Sequence, residues 1–441
     1  MKKTYVKYPY LTKDAVIYER ENGHKIVLAH KEGELVNISS WVKTGSINED
    51  DKINGISHFL EHLMFKGTHK HKAGYFDKTL EAKGAIVNAA TWKDYTFYYV
   101  TLPKGENNEN LYLALELHAD MMLDPVLPED EIGAPFDLNN PSVTDKRERH
   151  VVIEEIRMRK DQNWTRVYNT CNFNMYKKHP YKRDVIGTPE IISQVTRDEI
   201  MNYYQTFYSP ENITTIIVGD FDEEDVLNRV IKEFDFKDRK NAPKKINELD
   251  EPVQNTVYIE QKSTVNTAYA MFGWLGPKAS NIKETIHLDL ISIILGDGKS
   301  SRLYQTLIEK NSENIFNLVD SEHYQFKDGN NFFIQANFKP EYKDKAIELI
   351  KNELNNLLTN KISSEELLKA KKKIKLHAAC SAETVSDIGE TIGYYMTVCE
   401  DLKLIEEYIG DVENVTVEDL ENTIKKYLDI NNAVISVLMP E

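Results

Sequence analysis

Two short apolar runs, ITTIIVGD at 213–220 and NNAVISVLMP at 431–440, constrain this chain most. Each is too short and too evenly apolar for an amphipathic surface helix, and each reads as a strand buried on both faces. Such a strand needs a neighbour on each side and helices packed over it. Both runs follow a helical pattern, so the chain ends each of its two halves in the same way. The polar run FDFKDRKNAPKKINELDE, followed by Pro252, separates the halves and has the composition of a linker. The expected organisation is an N-terminal domain over 1–235, a linker over 236–252 and a C-terminal domain over 253–441.

The texture on either side of that linker is alike. In the first half, 26–31, 35–42 and 95–102 read as strands, and 54–66 and 109–123 as helices. In the second half, 255–260, 267–274 and 331–338 read as strands, with helices at 284–295, 301–310, 341–358 and 364–380. The fold class expected is α+β: two similar domains, each a mostly antiparallel sheet with helices packed on one face. The shared layout suggests structural duplication without a detectable sequence repeat.

Composition narrows the function. With 55 Lys+Arg against 71 Asp+Glu, the formal charge of −16 repels phosphate backbones and anionic lipid surfaces. Neither a nucleic-acid partner nor a membrane partner is expected. Three widely spaced cysteines, Cys171, Cys380 and Cys399, make neither a disulfide framework nor a thiolate zinc site. They read as core residues. Lys2 and Lys3 are followed by no apolar stretch of signal-peptide length, and the chain is expected to be soluble and cytoplasmic.

The sharpest local feature is His58-Phe59-Leu60-Glu61-His62, inside GISHFLEHLMFKGT. On a helix, positions i, i+3 and i+4 share one face, so His58, Glu61 and His62 stand together while Ile56, Phe59, Leu60, Leu63, Met64 and Phe65 are buried. Two imidazoles one turn apart can grip one Zn²⁺, and a carboxylate between them can take a proton from a water held there. A catalytic zinc needs a third protein ligand and an open position. The helical segment 147–159, RERHVVIEEIRMR, offers Glu148 and Glu155. Seven residues bring a helix back to within about 20° of its start, so these two share a face and Glu154 points elsewhere. One of the pair would ligate, and the other would hydrogen-bond to a ligand or to water. Taken alone, the segment reads more readily as a solvated charged face.

These pieces resemble the pitrilysin family of zinc peptidases, which includes insulin-degrading enzyme and the mitochondrial processing peptidases, and most of all its shorter, two-domain members. The resemblance runs along nearly the whole chain. It covers Gly55-Ile56-Ser57 with HFLEH and MFKGT, then Gly84 with Asn88-Ala89-Ala90-Thr91. It continues through ERHVVIEEI, His179-Pro180-Tyr181, Gly187, Tyr208-Ser209-Pro210-Glu211-Asn212 and Gly219-Asp220, to SSRLYQTL near residue 300. It implies a zinc-dependent endopeptidase with one Zn²⁺ per chain. His58, His62 and Glu155 would be its ligands, Glu61 its general base and Glu148 a supporting glutamate. Asn88 and Ala89 would lie on an edge strand that holds a peptide by backbone pairing.

Two departures stand out. His62 and Glu155 are 93 residues apart, longer than the family usually shows, which fits an inserted loop near 131–145. The family's active members also carry an Arg and a Tyr seven residues apart in the second half. Here Ile308 and Ile315 stand in those places, and Arg302 and Tyr304 are only two apart. The resemblance therefore implies a metal-bearing subunit whose partner, a related chain without HxxEH, supplies the Arg/Tyr pair; a homodimer is the other arrangement. The competing class is a non-catalytic structural or assembly subunit of the same family. Elsewhere, His69-Lys70-His71 reads as a solvent-exposed loop, His179 and Arg302 as structural, and the lysines of 369–375 as a solvated helix face.

Overall fold

The computed structural model describes residues 1–139, 147–237, 239–243 and 246–441, so part of the 131–145 insertion, from 140 on, lies outside the described residues. Two compact units are present. Unit 1 comprises Met1–Arg157, Arg183–Ile246 and Ala379–Glu406; unit 2 comprises Met158–Lys182, Asn247–Ala378 and Glu407–Glu441.

Unit 1 is built on strands β1 (Lys2–Val6), β2 (Ala15–Glu19), β3 (Lys25–His30), β4 (Leu35–Val42), β5 (Ile86–Thr91), β6 (Thr96–Pro103) and β7 (Ile213–Gly219). Their order in the sheet is β1-β2-β3-β7-β4-β6-β5. The β3–β7 pair is parallel and the others are antiparallel. Strand β7 is buried along its whole length, as its unbroken apolar run requires. Helices α1 (Ile56–Met64), α2 (Tyr75–Glu81) and α3 (Glu109–Leu123) belong to the same unit. Val36, Ile38 and Val42 of β4 and Tyr98, Val100 and Leu102 of β6 join Phe59, Leu60 and Leu63 of α1 and Leu111, Leu115 and Met122 of α3 in one core.

Unit 2 is built on β8 (Val257–Ser263), β9 (Ala268–Leu275), β10 (Phe316–Tyr324), β11 (Asn331–Phe338) and β12 (Val434–Pro440), in the order β10-β11-β9-β12-β8. Its parallel pair is β8–β12. From β3 outward in one sheet and from β8 outward in the other, both run first, last, second, fourth, third. The hairpin β1–β2 is an extension of the first sheet. The duplication suggested by the sequence texture is thus present as topology.

Each sheet also takes one helix from beyond its own half of the chain, on the face opposite the main helical layer. In unit 1 this is Val385–Thr397, which lies on β4 and β7. Contact there is so close that a Cβ on Gly393 would fall 1.9 Å from Trp41 Cε2, and one on Gly389 would fall 2.5 Å from Asn37 Oδ1. In unit 2 it is Asn163–Met175, where Gly273 of β9 leaves room for Cys171 and Met175. Neither unit is therefore one contiguous stretch of chain.

Several smaller expectations meet the structure differently. Residues 301–310 are not a regular α-helix; a π-helical segment spans Tyr304–Glu309. The lysine-rich helix Ser364–Cys380 is not simply a solvated face: Lys371 is buried, and its ammonium donates to the carbonyls of Glu413 and Val415 at 2.7 Å each, where helix Leu404–Asn414 ends. Cys171 and Cys399 are core residues as expected, but Cys380 is exposed.

Candidate metal centre

Helix α1 is fixed at its start by a carboxylate from outside it. Glu49, itself buried, accepts from the backbone N–H groups of Gly55 (2.8 Å) and Ser57 (2.9 Å), from Ser57 Oγ (2.6 Å) and from Asn54 Nδ2 (2.8 Å). A negative group at a helix N-terminus satisfies donors that have no partner inside the helix. Gly55 takes φ of 95°, and a Cβ on it would fall 2.5 Å from Ile186 O. A Cβ on Gly187, at φ of 74°, would fall 2.2 Å from Asn54 O. The two glycines let the loop and the helix start meet backbone to backbone.

Glu148 and Glu155 stand on one face of the helix Glu148–Lys160, while Glu154 pairs with Arg157 at 2.5 Å. Glu155 Oε2 lies 3.5 Å from His58 Nε2 and 3.4 Å from His62 Nε2. One ligand atom from each of these three residues lies within 4.8 Å of the others. At Zn–ligand distances of about 2.0–2.1 Å, two ligands of a tetrahedral ion stand roughly 3.3–3.4 Å apart. The separations to Glu155 match that spacing, and two imidazole nitrogens with one carboxylate oxygen are a donor set that Zn²⁺ takes. The residues fit the ion.

A second layer of contacts lies behind the trio. His62 Nδ1 is 2.9 Å from Glu148 Oε1, and the other oxygen of Glu148 is paired with Lys66. With Nε2 facing the trio, Nδ1 carries the proton and donates to the carboxylate, the arrangement that orients a metal-binding imidazole. Burial works against charge on His62, but Glu148 and Glu155 outweigh it and hold its pKa up at about 9. Burial likewise disfavours the Glu148 carboxylate, yet His62 and Lys66 keep it below its ordinary range.

Glu61 accepts from Thr91 Oγ1 at 2.6 Å. Burial lifts its pKa above the ordinary carboxylate value, and the Thr91 and His62 contacts pull it part of the way back. Thr91 is the last residue of β5, which among the described residues is an edge strand paired with β6 alone. Asn88 and Ala89 lie on the same edge strand. Asn88 is exposed, and its Oδ1 accepts from the Ala89 N–H at 2.9 Å.

The remaining candidates have structural roles. His69 is exposed and lies 3.1 Å from Asp124 Oδ1, and His71 stacks on Tyr75. His179 is buried against Asp328 at 3.1 Å. Arg302 is engaged by Glu366 at 2.7 Å and by the carbonyls of Asn360 and Lys361. Thr91, Lys66, Glu49 and Arg149 were given no role by the sequence. For Lys66 a signal exists in the sequence: it stands four residues after His62, just past the end of α1 at Met64.

A family model described as Insulinase (Peptidase family M16) matches residues 25–189, and one described as Peptidase M16 inactive domain matches 194–374. The zinc protease PqqE of Helicobacter pylori is 30% identical over 434 residues, covering 95% of this chain and 91% of that protein. The chain belongs to peptidase family M16. Among other M16 relatives, YmxG of Bacillus subtilis, named an uncharacterized zinc protease, is 27% identical over 96% of this chain and 98% of its own length. The crystal structure of a protease from Helicobacter pylori superposes with a TM-score of 0.84 at 29% identity, covering 98% of this chain and all of that one. These relatives make a metallopeptidase role the coarse functional assignment of this M16 chain. Among the described residues, His58, His62 and Glu155 form the one group of this kind, and it lies in unit 1. No described helix is long and apolar enough to cross a membrane.

Proposed function

We propose that this chain is a zinc-dependent endopeptidase acting on peptides or short unfolded segments, and that it is the metal-bearing member of a pair of related chains. The convergence of His58, His62 and Glu155 on one point carries the reading. Bound there, Zn²⁺ would act as a Lewis acid on the scissile carbonyl and would acidify a water towards a pKa of about 7. Glu61 then takes the proton of the attacking water and delivers it to the leaving amine. Burial raises its pKa above the ordinary carboxylate value, which strengthens it as a base. Glu148 fixes the His62 ring, and Lys66 fixes Glu148. The exposed edge of β5 at Asn88 and Ala89 pairs with the substrate backbone, which gives affinity with loose sequence preference.

Divided labour is supported by the second half of the chain. Ile315 is buried in the unit 2 core and Ile308 packs against that core, so neither place offers a polar side chain to a substrate. Arg302 is already committed to Glu366. A missing oxyanion donor raises a barrier by about 3–4 kcal/mol, a loss of roughly 10²–10³ in rate. The partner would be a related chain with the Arg/Tyr pair and without HxxEH. The absence of a disulfide among Cys171, Cys380 and Cys399 fits a reducing compartment such as the cytoplasm.

The test is a quenched-peptide assay of the purified chain, alone and mixed with a companion chain of that description, with and without a chelator. Zinc-dependent cleavage enhanced by the companion supports the whole reading. Full turnover by the isolated chain rejects divided labour. Zinc binding without cleavage in either case supports the assembly-subunit alternative.

A further inference from the structure

Arg149 is the second residue of the helix that carries Glu148 and Glu155, and it is buried. Its five hydrogen bonds all go to backbone carbonyls. Nε donates to Ile132 at 2.7 Å, Nη1 to Ser193 at 2.7 Å and Ile192 at 3.2 Å, and Nη2 to Val195 at 2.7 Å and Gly133 at 3.1 Å. These carbonyls stand at the ends of two short helices, Glu129–Ile132 and Pro189–Ile192, where backbone oxygens lack partners within the helix. A planar guanidinium with five fixed N–H groups can serve them all at once; a lysine ammonium has three donors on one atom. The guanidinium carbon also lies 5.8 Å from the ring centre of Phe59, between the two motif histidines on α1.

The direction of the clamp matters for the metal trio. At about 100° per residue, Arg149 projects about 100° from Glu148 and about 120° from Glu155 around the helix axis. It therefore grips a flank of the helix about a third of a turn from the face that meets His58 and His62. Five hydrogen bonds to one buried side chain on that flank resist rotation of the helix about its axis. Rotation is the motion that would carry Glu155 away from the two imidazoles.

We infer that Arg149 is a positioning residue of the metal centre, setting the rotation at which Glu155 meets His58 and His62 and Glu148 meets His62. This rests on the zinc reading above, but its test needs neither a substrate nor a partner chain. Zinc affinity of the full chain is measured by competition with a chromophoric chelator, and the Co²⁺-substituted absorption spectrum is recorded. The proteins are the unaltered chain, R149M, R149K, E155Q and the double variant R149M/E155Q.

The expected result is a roughly 10–100-fold loss of zinc affinity in R149M, of the size seen when support behind a ligand is removed. Its Co²⁺ spectrum should match that of E155Q, and the double variant should bind no more weakly than E155Q alone. R149K, which keeps the charge and loses the fork, should not restore affinity; it carries the test if R149M does not fold. Folded variants with the affinity of the unaltered chain overturn the inference. So does a loss that adds in full to that of E155Q, because it marks general destabilisation instead of positioning. An unaltered chain that binds no zinc overturns the zinc reading itself and Arg149's role with it.

Discussion

Thr91 Oγ1 lies 2.6 Å from Glu61 Oε2, which ties the last residue of the edge strand to the proposed base on α1. A substrate paired along β5 would therefore be registered against the same element that holds Glu61. A hydrogen bond to a charged carboxylate contributes about 1.5–3 kcal/mol. Thr91→Val should lower kcat by roughly 10–100-fold with little change in KM or zinc content, and Thr91→Ser should retain most of the rate. Because burial already raises the Glu61 pKa, removal of the hydroxyl should also move the acid limb of kcat/KM to higher pH. Steady-state kinetics on a quenched peptide across pH checks both expectations.

His62 predicts a proton linkage for metal binding. In the metal-free chain its pKa is held up at about 9 by Glu148 and Glu155, above the unfolded value of about 6.5. Its charge therefore stabilises the metal-free fold fully below about 6.5, and that contribution is lost as pH rises through 9. Zn²⁺ needs the neutral ring, so binding at pH 7 releases a proton. Apparent zinc affinity should rise about tenfold per pH unit from 6 to 8 and level off above 9. Glu148→Gln should bring the levelling to lower pH while weakening affinity at high pH by roughly 10–100-fold. Chelator competition at a series of pH values tests both.

Glu49 anchors the start of the metal helix. Substitution by Leu leaves the Gly55 and Ser57 N–H groups and one N–H of Asn54 Nδ2, whose other partner is Asp184 O, without their acceptor. Each orphaned buried group costs about 1–3 kcal/mol. In a unit of this size 1 kcal/mol shifts the melting temperature by about 2–4 °C. Glu49→Leu should lower the melting temperature of the metal-free protein by at least about 5 °C. Differential scanning calorimetry gives the answer, and an unchanged transition would mean that water takes over the three donors.

Much of this is legible in the sequence, and the reasons are local. The i, i+3, i+4 spacing of His58, Glu61 and His62 and the i, i+7 spacing of Glu148 and Glu155 are properties of a helix, so one face could be read from one segment. The apolar run of β7 announced a central strand. Thr91, Glu49 and Arg149 stayed hidden because their roles depend on which distant backbone they meet: a base on another helix, a helix start, and two helix ends. Strand β10 was missed because FNLVDSEHY carries too many polar residues for a strand pattern, and its Ser321 and His323 are buried by partners from helix Ile282–Gly296. The helix Val385–Thr397 has a buried apolar stripe at Val385, Ile388, Ile392 and Met396, but nothing local in it says that the sheet it covers belongs to the other half of the chain.

That helix supplies a last expectation. Gly389 and Gly393 are four residues apart, so they face the sheet together, and the helix approaches β4 closely enough for Trp41 to lie against its backbone. In a free helix, replacing Gly by Ala stabilises by about 1 kcal/mol. Here the added Cβ at 393 would sit 1.9 Å from Trp41 Cε2 and 2.2 Å from its Nε1, so the indole or the whole helix must move. Trp41 itself has little room, being buried and stacked on Phe97 at 4.3 Å between ring centres. Overpacking of this kind costs about 1–3 kcal/mol or more, which outweighs the gain in helix propensity. Gly393→Ala should therefore destabilise the chain and change the environment of Trp41, seen as a lowered melting temperature and an altered tryptophan emission. A stabilised Gly393→Ala would show that propensity wins and that helix Val385–Thr397 is not seated on β4 by its glycines.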